Sequence, residues 1–169
     1  MPKPARLIIA VLSRNLELLA AAEPVLTAAF GPIRLRSETF RWNFSRYYEP
    51  ELGPELWRQW LGFQPLVIPG HLSEFKQKTI QLEDKFRDEQ GNRTINLDPG
   101  ILTLHNLVLA TTKDYAHRIA LTPEIYAELT LIFHQGRYQP LPWTYPDYQT
   151  EICQKFLLAC RQTLLNREA

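Results

Sequence analysis

The chain has 169 residues, 45% hydrophobic, 22% charged and 11% aromatic, and its 19 Lys+Arg against 18 Asp+Glu leave a formal charge of +1. That length fits a single domain over residues 1–169 with a core of its own, and near-neutrality excludes a protein that binds polyanions over its whole surface. Thirteen Pro against seven Gly point to rigid loops rather than low-complexity sequence.

Residues 7–12 form a continuous apolar run, as in a strand buried on both faces. With Lys3 and Arg6 ahead of it, the run has a superficial likeness to a secretory signal, but Arg14 and Glu17 close it early. No stretch approaches the roughly 18 apolar residues of a membrane span. Asn15 caps a helix ending at Phe30, with Leu19, Ala22, Leu26 and Ala29 on one face. Pro24 predicts a kink or break near Glu23, and Gly31 suits a left-handed cap. In residues 33–44 the apolar parity switches between Leu35 and Phe40, which predicts a bulge or two short strands.

Pro54 suits the first turn of a short helix with Leu56, Trp57, Trp60 and Leu61 on one face, followed by a connector stiffened by Pro65, Pro69 and Gly70. The clearest helix is residues 71–88, where Leu72, Phe75, Thr79, Leu82 and Phe86 are spaced 3, 4, 3, 4. Residues 94–97 predict a strand, and Asp98-Pro99-Gly100 predicts a turn. Residues 107–110 and 125–133 read as strands, and residues 134–137 as a hairpin turn into residues 138–141. A last helix over about residues 150–165 buries Ile152, Phe156, Cys160 and Thr163 or Leu164. The fold class is therefore α+β: a mainly antiparallel (mixed) sheet packed by about four helices as a two-layer sandwich. Cys153 and Cys160 stand two helical turns apart, about 10.5 Å against a disulfide reach of about 7 Å. Unpaired thiols and a cytoplasmic location are expected.

GxxxxGK[ST], GxGxxG, HExxH, GxSxG and CxxC are absent from the sequence, and Thr112-Lys113-Asp114 lacks the spacing of a guanine-reading NKxD. Polar groups concentrate after residue 94, on strand ends and loops. Lys113, His117 and Arg118 supply donors for a phosphate or carboxylate. Asp98, Asp114, Glu128 and Asp147 can hold a hard cation such as Mg²⁺, and His117, Asp98 or Asp114 can serve as a general base. Tyr145 and Tyr148 can stack on a planar ligand. Alternatively, Asp98 is only a turn residue, Asp114 only pairs with Lys113 or Arg118, and Asp147 only caps the last helix. His71, His105 and His134 share no ligand spacing.

A second constellation spans residues 34–48. Arg34, Arg36, Arg41 and Arg46 interleave with Phe40, Trp42, Phe44, Tyr47 and Tyr48, a composition that suits single-stranded nucleic acid or self-association. On a strand, the same alternation places Phe40, Trp42 and Phe44 in the core.

The stretches NLDPGILTLHNLVLATTKDYAHRIAL, IYAELTLIFHQGRYQPLPWTYPDY and SRYYEPELG resemble an uncharacterised bacterial family known only as a domain of unknown function. The resemblance covers essentially the whole chain, and TTKDYAHRI and WTYPDY are its specific strings. Members are sometimes labelled GTP-binding by automatic transfer, a label at odds with the missing P-loop and NKxD. Ala116 and Ala120 stand where the resemblance implies Ser and Tyr. The sequence thus leads to one expectation: a small anionic ligand, phosphorylated or nucleotide-like, bound at strand-end loops through Lys113, His117 and Arg118, with any reaction left open. The alternative is a non-catalytic interaction module using residues 34–48.

Overall fold

The structure, a computed structural model, describes residues 3–166. The N-terminal apolar run becomes β1 (Ala5–Ser13), buried along its whole length. It pairs antiparallel with β4 (Leu56–Val67) on one side and β5 (Ile95–Leu102) on the other. Beyond β4 lie β2 (Ile33–Arg36) and β3 (Phe40–Trp42), both paired with it. Beyond β5 come β6 (Asn106–Thr111) and β8 (Tyr126–His134), and β8 carries both β7 (Arg118–Ala120) and β9 (Arg137–Pro140). All these pairings within the nine-stranded sheet are antiparallel, as the α+β reading expects.

The layering differs from the expected two. Leu7, Ile9 and Val11 of β1 face α1 (Leu16–Phe30) and α3 (Leu72–Glu83), whereas Ile8 and Ala10 face α4 (Glu151–Leu165) on the opposite side. Helices therefore cover both faces, giving three layers, and this is why β1 reads as a continuous apolar run instead of an alternation. Among the described residues, no helix is long and apolar enough to cross a membrane.

Several local expectations match. The Asn15 side chain accepts the Leu18 N–H at 2.9 Å, whereas the break considered at Pro24 does not occur: α1 runs through it as one element. The parity switch after Leu35 is the break between β2 and β3. Leu72, Thr79 and Leu82 of α3 are buried as its spacing predicts. The turn between β8 and β9 places Gln135 and Gly136 at φ 50° and 81°, the left-handed pair of a tight hairpin. Thr150 caps α4 by accepting the Cys153 N–H at 3.2 Å.

Two further expectations are corrected. The helix expected after Pro54 is instead β4, and Pro65 lies within that strand; the only helix here is a single turn, α2 (Glu49–Leu52). Leu56 and Trp60 pack toward one side of the sheet while Leu61 and Phe63 pack toward the other. A strand buried on both faces loses its period of two, so an i, i+1, i+4, i+5 apolar spacing imitates a helix. The buried Arg6 side chain secures the irregular end of β4, donating from Nη1 to the Phe63 and Gln64 carbonyls at 2.7 and 2.8 Å.

The turn expected at Asp98-Pro99-Gly100 is the interior of β5. The ladder from β5 to β6 begins only at Gly100, opposite Leu109. Leu97 turns its N–H and C=O away from β1, toward side chains of α3. By the alternation of an antiparallel strand, Pro99 also presents its nitrogen away from β1. Its missing N–H thus costs nothing on the β1 side and falls where pairing with β6 stops.

Gly100 lets Leu109 approach: a Cβ there would lie 2.7 Å from Leu109 Cδ2 and 3.2 Å from Leu107 Cδ1. Gly100→Ala is expected to lower the unfolding free energy in urea by about 1–3 kcal/mol, the usual cost of overpacking. Unchanged stability would show that β5 and β6 have room to separate.

Candidate functional site

Because β5 and β6 part above Gly100, the backbone of Leu97 has no strand partner on that side. Helix α3 supplies one. The Glu83 carboxylate accepts the Leu97 N–H at 2.8 Å, and Lys76 Nζ reaches the Leu97 carbonyl at 3.4 Å. Lys76 also donates to Asp98 Oδ1 at 3.2 Å, and Asn96 Nδ2 donates to Asp98 Oδ2 at 2.8 Å. Arg93 ties this group to α2: it grips both Glu51 oxygens at 2.7 and 2.8 Å and donates to Glu83 and Asn96 at 3.2 and 3.0 Å. The split in the sheet is therefore held open by hydrogen-bonded charge.

The opening is a cleft of about 630 Å³, within the usual range for small-molecule sites. Its walls come from β5, α3, the ends of β4 and β6, the segment with Tyr47 and Tyr48, and the 3₁₀ turn at Pro146–Gln149. A larger concavity of about 1000 Å³ lies at the other end of the strands. That one is walled mainly by apolar residues, including Leu66, Leu72, Ile101 and Leu104, and lacks converging charges. The cleft is the candidate site.

Six cations line it, and five of them are paired with the five carboxylates that line it too. Arg58 meets Asp147 at 3.1 Å, Lys76 meets Asp98 at 3.2 Å, Arg87 meets Asp84 at 2.8 Å, Arg93 meets Glu83 at 3.2 Å and Arg118 meets Glu128 at 3.1 Å. Among the described residues, Lys113 is the cleft cation that makes no ion pair. Its Nζ lies 3.9 Å from the centre of the Tyr47 ring. Burial and the neighbouring Arg118 lower its pKa, as expected for a cation lacking a counter-charge.

The residues singled out from the sequence divide accordingly. Arg118 lines the cleft, with its guanidinium spread over Glu128, the Lys113 carbonyl and the Tyr145 hydroxyl at 3.1, 3.0 and 3.0 Å. His117 lies outside it: Nε2 sits 2.6 Å from Glu128 Oε1, and the ring stacks on Trp143. Asp98 borders the cleft with a side chain 26% exposed. Asp147 is buried, accepting from Trp42 Nε1 and Arg58 at 3.1 Å each, and Thr150 rather than Asp147 caps α4. Asp114 is exposed and makes no ion pair with Lys113 or Arg118. The four carboxylates considered for Mg²⁺ do not converge: among the described residues, no three His, Cys, Asp or Glu are grouped to hold a metal ion.

Segment 34–48 contributes Trp42 and Ser37 to the interior, while most of its other residues are exposed. Trp42 is 9% exposed and its indole N–H is taken by Asp147, while Phe40 stacks against Trp60. Arg36, Arg41 and Arg46 pair with Glu23, Glu55 and Glu49. Phe44 and Tyr47 stay exposed. The sequence reading missed Arg58, Lys76, Glu83 and Arg93. Reading residues 56–63 as a strand would have placed Arg58 between Leu56 and Trp60 on a buried face, which marks an arginine with a specific partner.

Burial pushes the Glu83 carboxyl up to about 7 from 4.5, against the opposing pull of the Leu97 N–H, Lys76 and Arg93. The folded state then holds a proton that the unfolded chain releases between those values. Stability from this group is full below the window and falls as pH rises through it, by at most about 1.4 kcal/mol per pH unit. In urea unfolding at pH 5 and pH 8, Glu83→Gln is expected to lose that part of the decline. An identical decline in both proteins would show that Glu83 titrates normally.

No curated protein and no solved structure matches the chain. A family model matches residues 3–164, and the chain belongs to that family, described as domain of unknown function DUF4416.

Proposed function

We propose that the cleft binds a small anionic ligand, phosphorylated or nucleotide-like, with its anionic group between Lys113 and Arg118 at the mouth. The observation that carries this reading is the surplus cation. Lys113 faces the cleft without a carboxylate, beside a second cation, and rests on the Tyr47 ring. At an exposed position a cation–π contact is worth about 0.5–1 kcal/mol, less than a charge-assisted hydrogen bond to phosphate. An oxyanion can therefore draw Lys113 from Tyr47. Near pH 7 the partial protonation of Glu83 widens the cationic surplus.

Arg118 is held for the same task. Glu128 fixes its Nε, and its Nη2 reaches Tyr145, whose half-exposed ring borders the cleft. His117 acts on this ligand only through Glu128, so it leaves the ligand set and becomes a support. Asp98, anchored by Lys76 and Asn96, is the carboxylate placed to accept from a ligand hydroxyl. The two free, buried thiols suit a reducing compartment, and we take the cytoplasm as its setting. In segment 34–48, Trp42 is committed to the interior and Arg36, Arg41 and Arg46 face carboxylates, which favours the cleft over an interaction module.

Thermal shift against inorganic phosphate, sugar phosphates and nucleoside monophosphates tests the reading. A rise in Tm is expected with at least one class, and Lys113→Ala should abolish it while leaving the unliganded Tm within about 2 °C, since surface changes usually stay within ±0.5 kcal/mol. No shift across the panel, or a shift intact in Lys113→Ala, overturns it.

A further inference from the structure

Two accessible polar groups of the cleft lack a full set of partners. The Asp98 carboxylate lines it with a side chain 26% exposed. An ionised carboxylate offers about four acceptor sites. Lys76 takes one on Oδ1 and Asn96 takes one on Oδ2, which leaves a site free on each oxygen. The second group is the hydroxyl of Tyr48, a residue that also lines the cleft. Among the described residues this hydroxyl makes no hydrogen bond, and it is not sealed from solvent as the Tyr148 hydroxyl is. Burial and the neighbouring Asp98 hold its pKa above the usual phenol value, so it stays protonated and able to donate. Asp98 and Tyr48 thus act on each other without bonding directly.

A hydroxyl suits both groups, because it donates to a carboxylate and accepts from a phenol at once. A carbonyl gives Asp98 no proton, and an ammonium accepts nothing from Tyr48. Water can bridge the same pair, and a ligand hydroxyl that repeats both bonds displaces it without loss. Lys76 already offsets the Asp98 charge at 3.2 Å, so the carboxylate calls for no further cation. Its two free sites lie side by side, which matches hydroxyls on adjacent carbons. The anion end is close by, since Arg118 and Asp98 both act on the Tyr145 hydroxyl, Arg118 through a bond of 3.0 Å. Resting on the anion reading above, we infer that the ligand is a phosphorylated sugar, its vicinal diol held by Asp98 and Tyr48 and its phosphate by Lys113 and Arg118. A free sugar phosphate and a ribonucleotide share that diol, and the diol is what the site selects.

Ribose 5-phosphate with 2-deoxyribose 5-phosphate, and AMP with dAMP, are the probes, because each pair differs only in the hydroxyl that completes the diol; inorganic phosphate is the reference. By calorimetric titration, the ribose member of at least one pair is expected to bind at least about fivefold more tightly than its deoxy partner, the usual worth of one net hydrogen bond. A preference shown only by the first pair assigns the site to a free sugar phosphate, and one shown by the second assigns it to a ribonucleotide. Lys113→Ala should weaken inorganic phosphate and both members of a pair alike. Asp98→Asn should bring the two members within about twofold of each other. Tyr48→Phe, which removes only the unbonded hydroxyl, should weaken the ribose member about fivefold while leaving phosphate binding and the unliganded Tm unchanged, and it decides the matter if Asp98→Asn fails to fold. Equal binding within both pairs overturns the inference and leaves the anion reading standing. A preference unchanged in Asp98→Asn, ribose binding undiminished in Tyr48→Phe, or binding of inorganic phosphate alone has the same effect. No binding by any probe overturns both.

Discussion

The structure turns on a carboxylate that stands in for a β-strand. β5 lies in the middle of the sheet, yet over its first half the neighbour expected on one side is missing, and Glu83 and Lys76 of α3 answer the Leu97 backbone instead. A buried, unpaired peptide group costs about as much as a lost hydrogen bond, so the gap persists only because those two side chains fill it. The cleft, the buried position of Glu83 and the convergence of α2, α3 and β5 through Arg93 all follow from that substitution.

Holding a sheet open with charge has a characteristic energetic profile. Each buried ion pair repays its desolvation only if its geometry is good and its remaining valences are met, so pairs such as Arg58–Asp147 contribute little net stability while fixing shape tightly. The walls of the cleft are accordingly rigid on the Arg93–Glu83–Lys76 side, where nearly every polar atom is engaged. They are less fully satisfied at Lys113 and at the inner face of Arg58. The anionic ligand proposed above would meet a preformed site at Lys113, and preformation lowers the ordering cost of binding.

Much of the scaffold was legible in the sequence where local pattern and tertiary setting agree. The 3, 4, 3, 4 seam of α3, the β8–β9 hairpin and the parity switch after Leu35 each record one element meeting one core. Legibility failed where a residue serves two neighbours. Leu56 to Phe63 face helices on both sides and so lose their alternation. Asp98-Pro99-Gly100 looks like a turn because turns tolerate a missing donor and a missing Cβ, but so does a strand at the point where its ladder ends. Arg118 and Lys113 were visible from a strand-end loop. Arg58, Glu83 and Arg93 were not, because their roles arise from side chains brought together from segments dozens of residues apart.

The capping of Leu97 carries one more consequence, a mechanical one. Elsewhere in a sheet, an amide is locked by a neighbouring strand and exchanges with solvent only when that strand peels away. Here the lock is a single side chain on a helix, so the amide is released by a rotation about a few bonds of Glu83 or by a slight roll of α3. The middle of the sheet thus has a side-chain latch where a seam would be expected, and α3 bears directly on the floor of the cleft.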